Sequence, residues 1–374
     1  MTEEKLDTDD ELWLFKSYAD EAAIEAVTDV LQRGTWWANG PEIEAFEEAV
    51  AETAGTEYAV AFNSGTTALY GQLLAHDVSG GEVIVPSFTF PATANAVVAA
   101  GATPVFADIE EESLALSADS VEEAVTDDTE VIMPIHYGGT IAKDIDTLCE
   151  IAANTDAVLL EDACHSLGAS MDGQRAGSFG SAASFSFCFN KLVTTGEGGM
   201  VVTDSATVRD QLRSIRNHGR DSDGRTVDYG YNFRLATMNA AIGGAQMSKL
   251  DWMIEERHRM ATTLNDQLAG IEGLWLPEPP EYCDRVYLYY NIRLEDKETQ
   301  QALASHLDDN GIPSRTGYDP VHLTPYYRSE WGWTEGNLPV TESMSGRLLT
   351  LPFHLDVSDA DLEYIAGTVR EFFE

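Results

Sequence analysis

Lysine is the scarcest charged residue of this chain. Six stand among 374 residues, against sixteen arginines and 64 aspartates and glutamates. The net charge of −42 is dispersed along the sequence rather than gathered in one tail. So acidic a surface repels phosphate backbones, which removes nucleic acid from the expected partners. Dispersed carboxylates with few lysines also suit a halophile, because salt screens their self-repulsion. An acidic protein with no salt habit has the same composition.

Cysteine is rarer still. Cys149, Cys164, Cys188 and Cys283 lie far apart with no C-x-x-C. Neither a disulfide framework nor a thiolate zinc site is expected, and neutral buried thiols in a reducing cytoplasm fit this usage. No apolar run reaches the roughly 18 residues of a membrane span. The acidic opening MTEEKLDTDDELW is unlike a secretory or mitochondrial leader. Two phosphate-binding signatures are also missing, G-x-x-x-x-G-K-[ST] and G-x-G-x-x-G; the glycines at 196, 198 and 199 have the wrong spacing and precede a strand. These absences leave a cytoplasmic globular protein, with neither membrane nor nucleic acid as partner, and a length that suits about two domains.

What is present is a series of short apolar runs at 58–62, 82–88, 103–109, 130–137, 157–163, 181–187 and 199–204. Most are continuously apolar, as strands covered on both faces are. Helical patterns lie between several of them, for example SADSVEEAV at 117–125. The alternation predicts an α/β domain over residues 1–246, with a mostly parallel mixed sheet of these seven strands flanked by helices. From 247 the pattern changes: a long helix at 247–270, Pro-rich LPEPPEY, a strand at 286–294, and helices at 300–309 and 360–373. Residues 247–374 read as a smaller C-terminal α+β domain.

Three stretches can carry chemistry. In AVAFNSGTTALYGQLL a strand runs through Asn63-Ser64-Gly65-Thr66-Thr67 into a helix, so free N–H groups and hydroxyls meet at the positive end of a helix dipole. That arrangement cradles phosphate; a plain N-cap has the same sequence. In VLLEDACHSLGA, Glu161 and Asp162 end an apolar strand, where open α/β sheets present ligands. A carboxylate there needs a cation, such as the protonated nitrogen of a pyridine cofactor, or else it caps a following helix. A metal at Asp162 and His165 lacks a third close ligand, so no metal is expected. In FSFCFNKLVTTGEGGMVV, Lys191 stands among aromatic and small residues. Desolvation there favours a neutral amine able to form a Schiff base; a lysine snorkelling from a strand end is the plainer alternative. Ser186 adds a hydroxyl, and TTGEGG permits a tight turn near a ligand. Together the three match the attachment points of pyridoxal 5′-phosphate.

With these stretches, the ordered blocks GTWWANGPEIEAFEEAVAETAG, VPSFTFPATANAV, PVFADI, PIHYGG, RNHG, YGYNFRLATMNAAIGGAQMSKLD, PVHLTPYY and LPFH resemble the DegT/DnrJ/StrS sugar aminotransferases over nearly the whole chain. The resemblance implies a fold type I pyridoxal-phosphate transferase acting as a homodimer with shared active sites. It makes Lys191 the Schiff-base lysine, Asp162 the partner of the pyridine nitrogen, and His165, often glutamine in relatives, the residue beside the ring hydroxyl. Thr66, Thr67 and Ser186 become phosphate ligands, Phe90 the aromatic stacked on the pyridine, and Asn232 the contact to the neighbouring subunit's phosphate. Cys164 stands where alanine is common.

Relatives acting as 3-dehydratases carry histidine at the Lys191 position, so lysine implies transamination. The amino donor implied is glutamate or glutamine, and the acceptor a nucleotide-linked 3- or 4-keto sugar. A cyclitol ketone, an aminohydroxybenzoate-type substrate, or a non-catalytic regulatory role are the family's other options. Between 205 and 240 lie six arginines against four aspartates, with no glutamate or lysine. Such a stretch suits a diphosphate-bearing acceptor, or else pairs with the acidic surface. Arg220, Arg225, Tyr318 and His322 are the expected substrate contacts.

Overall fold

The computed structural model describes residues 12–374. Five strands follow one another with helices between: β1 (Tyr58–Phe62), β2 (Glu82–Pro86), β3 (Thr103–Ala107), β4 (Thr129–Ile132) and β5 (Val158–Asp162). A short hairpin, β6 (Ser170–Met171) and β7 (Gln174–Arg175), precedes β8 (Ala182–Ser186) and β9 (Gly199–Thr203). Seven of these form one sheet in the order β1-β9-β8-β5-β4-β2-β3. Only β9 runs against its neighbours; the pairs β5–β8, β4–β5, β2–β4 and β2–β3 are parallel.

This is the expected seven-strand mixed sheet. Its runs are continuously apolar because both faces are buried: Val60, Ile84, Ile132, Leu160 and Val201 are all inaccessible. Most predicted runs overshoot their strands at the carboxyl end. The strands' last residues and the loops just beyond them carry the candidate site. The carboxyl ends of β1, β2, β5 and β8 share one edge of the sheet, where ligands of open α/β folds bind.

Beyond it, β10 (Leu274–Trp275), β11 (Tyr290–Leu294), β12 (Arg315–Thr316) and β13 (Leu348–Leu351) make an antiparallel sheet in the order β10-β11-β13-β12. The helices Lys297–Asp309 and Asp359–Phe373 share with it a second apolar core, including Leu303, Ile292, Leu349 and Ile365. The helix Leu250–Leu268 links the two cores: Leu250 and Met253 pack in the first, Met260 and Leu264 in the second.

Two expectations need correction. The helix predicted over 247–270 is the end of Thr237–Met247 followed, after Ser248 and Lys249, by Leu250–Leu268. No proline or glycine marks that break, so periodicity runs across it. The strand predicted over 286–294 begins only at Tyr290. Its first part is diverted: the N–H groups of Val286 and Leu288 donate to the carbonyls of Gly139 and Gly138 at 2.9 and 3.0 Å. Gly139 has φ +93°, and a Cβ there would lie 3.0 Å from the Leu288 nitrogen, so only glycine admits this approach.

Candidate active site

The turn after β1 behaves as a helix start and as more than that. Ser64 caps the helix Gly65–Ala75, its Oγ accepting from the Thr67 N–H at 3.1 Å. The Thr67 hydroxyl closes the box, accepting from the Ser64 N–H at 3.2 Å and donating to Asn63 Oδ1 at 2.7 Å. Thr67 therefore has its hydroxyl proton committed to Asn63, whereas Thr66 is exposed at the same helix start. The end of β8 closes the turn from the other side. A Cβ on Gly65 would meet Ser186 Cβ at 2.7 Å and Oγ at 2.8 Å. The backbone N–H groups of the helix start and the Ser186 side chain thus meet at one small cradle, with the exposed Thr66 next to it in the chain and a positive helix end behind it.

Asp162, the last residue of β5, is buried. Its Oδ2 accepts from the Thr93 hydroxyl at 2.7 Å and its Oδ1 from the Cys164 N–H at 3.2 Å. No cation pairs with it among the described residues. Its neighbour Glu161 is treated differently: fully buried, it accepts from the N–H groups of Gly177, Phe179 and Gly180 at 2.8, 2.8 and 2.9 Å, and from His136 Nε2. Side chains alternate across a strand, so the two carboxylates point to opposite faces. Glu161 is saturated; Asp162 is left open for a positively charged partner.

His165 lies beyond the same strand and is also buried. The Gly138 N–H donates to its Nδ1 at 3.3 Å, so the neutral ring carries its proton on Nε2. Burial, reinforced by the charges of Lys191 and Arg315, holds the imidazole well below its ordinary value. It is a neutral hydrogen-bond donor at physiological pH.

Lys191 is half-buried in the loop after β8. Lys16, Lys143 and Lys249 pair with Asp356, Glu112 and Asp20, but Lys191 makes no ion pair among the described residues. Its charge also acts on Cys164, His165 and Tyr289, which places it in the same cluster. The wall opposite is aromatic. The Tyr289 ring centre lies 5.2 Å from that of His165, and the Tyr318 ring stacks on His165 at 6.4 Å. Phe90 is exposed at the rim, 6.3 Å from Tyr318.

Of the expected substrate contacts, Tyr318 is in this cluster and the others are not. His322 is fully buried elsewhere, its ring held between Ser87 Oγ at 2.7 Å and Glu342 Oε1 at 3.2 Å. Both ring nitrogens are used within the protein, so the structure does not bring His322 into the cluster. Arg225 is exposed and paired with Asp221 at 2.8 Å and Asp223 at 2.9 Å. Arg216 is likewise bound to Glu47, Arg209 to Asp210 and Arg234 to Asn217. Much of the positive stretch is thus spent on local carboxylates and amides. Arg220 and Asn232 are exposed; the Phe233 carbonyl next to Asn232 accepts from the Asn63 N–H at 2.8 Å, beside the cradle. The cysteines are unpaired, and of the four only Cys283 is buried; desolvation first, then the Asp162 charge, drive the Cys164 thiol well above its ordinary value. No cluster of three metal-ligating side chains exists among the described residues.

Sequence reasoning missed Thr93, Tyr137, Tyr289, Arg315, Glu161's partner His136 and the Gly138 amide. Most reach the site from segments distant in sequence; the blocks VPSFTFPATANAV and PIHYGG contain Thr93, His136, Tyr137 and Gly138 but give no sign of these roles.

Known proteins resemble this chain over nearly its whole length. GDP-perosamine synthase of Caulobacter vibrioides is 35% identical over 90% of this chain and 92% of its own. The solved structure of DesV from S. venezuelae is 36% identical, covers 94% of both chains and superposes with a TM-score of 0.89. The PLP form of Spr1654, a putative sugar aminotransferase of Streptococcus pneumoniae, gives 0.91 at 27% identity over 97% of this chain and 98% of its own. The profile of one family matches residues 17–370, and the chain belongs to it: the DegT/DnrJ/EryC1/StrS aminotransferases.

Proposed function

We propose that this chain binds pyridoxal 5′-phosphate and transfers an amino group from glutamate or glutamine to a nucleotide-linked 3- or 4-keto sugar. One observation carries the reading: an unpaired lysine, an unpaired buried carboxylate and a neutral histidine donor share one cluster at the carboxyl edge of the sheet. The residues fit the cofactor. The Gly65–Ser186 cradle has no room for a side chain and offers N–H and hydroxyl donors to a phosphate. Asp162 lacks a cation, which a protonated pyridine nitrogen supplies. Phe90 offers a ring face at the rim.

When bound, the cofactor supplies an aldehyde that condenses with amines and a ring that accepts charge from a carbon losing its proton. The chain supplies the rest. Lys191 Nζ takes the proton from the donor's α-carbon as a general base and returns one as a general acid. With the cofactor bound, Asp162 would keep the proton on the ring nitrogen, and His165, through its Nε2–H, would serve as donor to the ring hydroxyl. GDP-perosamine synthase is named for a nucleotide sugar, which supports that class of acceptor here. A homodimer in which Asn232 reaches the neighbouring subunit's phosphate is supported by the exposed Trp36, Trp37 and Tyr229, which suit a covering second copy.

Reconstitution tests the reading. Added cofactor should give a visible absorption band that borohydride removes and fixes to Lys191. Lys191→Ala should show neither fixation nor turnover; a labelled residue other than Lys191 would sink the assignment. The acceptor is then found by converting the protein to its amino form and asking which nucleotide-keto sugar restores the band.

A further inference from the structure

The cluster holds a second cation that no step above uses. Arg315 lies in β12, with its guanidinium carbon 4.8 Å from the Tyr289 ring centre, 5.2 Å from that of Tyr318 and 5.0 Å from that of Phe15. It forms no ion pair among the described residues, and its Nε is buried without an acceptor. Arg257 and Arg285 also lack an ion pair among the described residues and have a buried Nε without an acceptor, but their guanidinium groups lie against Phe353 and Tyr287, whereas that of Arg315 lies against the rings of this cluster. A guanidinium enclosed by ring faces keeps favourable cation–π contacts, and here its Nε–H is left without an acceptor. Such a group is prepared for an anion that comes and goes.

The geometry points to Arg315 as the receptor for the carboxylate of the amino donor, an α-amino acid, in the transamination proposed above. The α-carboxylate is attached directly to the carbon that Lys191 deprotonates, so its receptor must belong to the same cluster as Lys191. Arg315 does: its guanidinium lies against Tyr289 and Tyr318, whose rings pack on His165, and its charge and that of Lys191 both act on His165. The diphosphate of a nucleotide sugar, by contrast, is separated from the keto carbon by several bonds of the sugar ring. A carboxylate also matches the guanidinium fork with two parallel N–H donors.

The same space must afterwards accept an uncharged part of a sugar, and the tyrosines meet that need. Tyr289 and Tyr318 face each other with hydroxyl oxygens 3.4 Å apart. Burial pushes the Tyr289 phenol up, but Lys191 and Arg315 together outweigh it and bring the phenol below its ordinary value. Between donor and acceptor, electron-rich phenol oxygens replace the departed carboxylate as neighbours of the guanidinium. With the sugar bound, they are hydrogen-bonding partners for its hydroxyls. One cationic site thereby serves a charged and a neutral substrate in turn.

The test uses the cofactor-loaded protein and two substitutions, Arg315→Gln and Arg315→Lys. Glutarate, which carries carboxylates and no amino group, is titrated by calorimetry, and the glutamate half-reaction is followed by the visible band. Expected for Arg315→Gln is glutarate binding weakened at least about tenfold, the scale of one charge-assisted pair, with the glutamate half-reaction slowed to match. Arg315→Lys keeps the charge without the fork and should fall between the two proteins, which decides the matter if the glutamine variant folds poorly. The half-reaction with the nucleotide-keto sugar should fall clearly less than the glutamate half-reaction, since no charge of that substrate meets Arg315. Unchanged glutarate and glutamate behaviour in either folded variant overturns the proposal. So does a loss confined to the sugar half-reaction, which would assign the guanidinium to the diphosphate. Absence of any cofactor band in the wild type overturns the transamination reading itself, and this proposal with it.

Discussion

His136 donates from Nε2 to Glu161 Oε2 at 2.8 Å, and neither side chain is reached by solvent. The other imidazole nitrogen accepts from the Ala142 N–H at 3.1 Å, so the ring ties the end of β5 to the loop 136–142. That loop supplies the Gly138 N–H that fixes the tautomer of His165. The saturated carboxylate therefore acts on the site from behind, through two loops.

Glu161→Gln tests this. An amide has one acceptor oxygen, whereas Glu161 now receives four donors, so at least one N–H loses its partner inside the core. Each such orphan costs about 1–3 kcal/mol. The unfolding free energy in urea should drop by about 2–4 kcal/mol on that basis; a change under about 0.5 kcal/mol, typical of surface substitutions, would show that the cage contributes nothing.

Asp162→Asn should behave in the opposite way. The amide keeps an acceptor oxygen for the Thr93 hydroxyl and removes an unpaired buried charge, so stability should hold or rise. Turnover should fall by about 10²–10⁴, the ordinary contribution of a group that controls a proton. Parallel urea melts and steady-state rates check both halves. Equal losses in the two would make Asp162 a structural residue only.

The contrast between these adjacent carboxylates also shows what was legible. EDACHSLGA marks a strand end with two acids, but which acid is satisfied depends on Gly177, Phe179 and Gly180, in a loop whose path no local pattern reveals. The seven strands were legible because burial on both faces leaves an unbroken apolar run. The roles proposed for Lys191 and the turn after β1 can be read from the sequence because their signals are local: a lysine between aromatic and glycine-rich segments, hydroxyls at a helix start. Arg315 was not, since its neighbours Phe15, Tyr289 and Tyr318 come from three separate segments. Nor was the place of His322, since Ser87, which holds its ring, is 235 residues away.

Acid should destabilise the fold in a predictable window. Burial lowers the proton affinity of His165, and likewise of His76, His322 and His354, relative to the unfolded chain. Below pH 6.5, the ordinary histidine value, the unfolded state binds more protons than the folded one, and stability falls with falling pH. His165→Gln removes one of these groups while an amide oxygen can still accept from Gly138. Between pH 6.5 and about 5 its loss of stability should be shallower by up to about 1.4 kcal/mol per pH unit, read from urea midpoints. An identical slope in the two proteins would mean that His165 is protonated in the folded state.

The cradle gives the sharpest steric prediction. Gly65 has the ordinary backbone of a helix start, with no positive φ, so alanine is conformationally acceptable there. Its cost is contact: the new methyl would sit 2.7 Å from Ser186 Cβ and 2.8 Å from Oγ. The helix start must then move away from the end of β8, which widens the gap where a phosphate would be held. Gly65→Ala should weaken cofactor affinity at least about tenfold, one charge-assisted hydrogen bond or more, measured by titrating the visible band. Adding Ser186→Gly removes the clash but also one hydroxyl. If misplacement of the N–H groups dominates, the double variant recovers part of the affinity; if the Ser186 hydroxyl dominates, it recovers none. Unchanged affinity in Gly65→Ala would place the phosphate away from this turn.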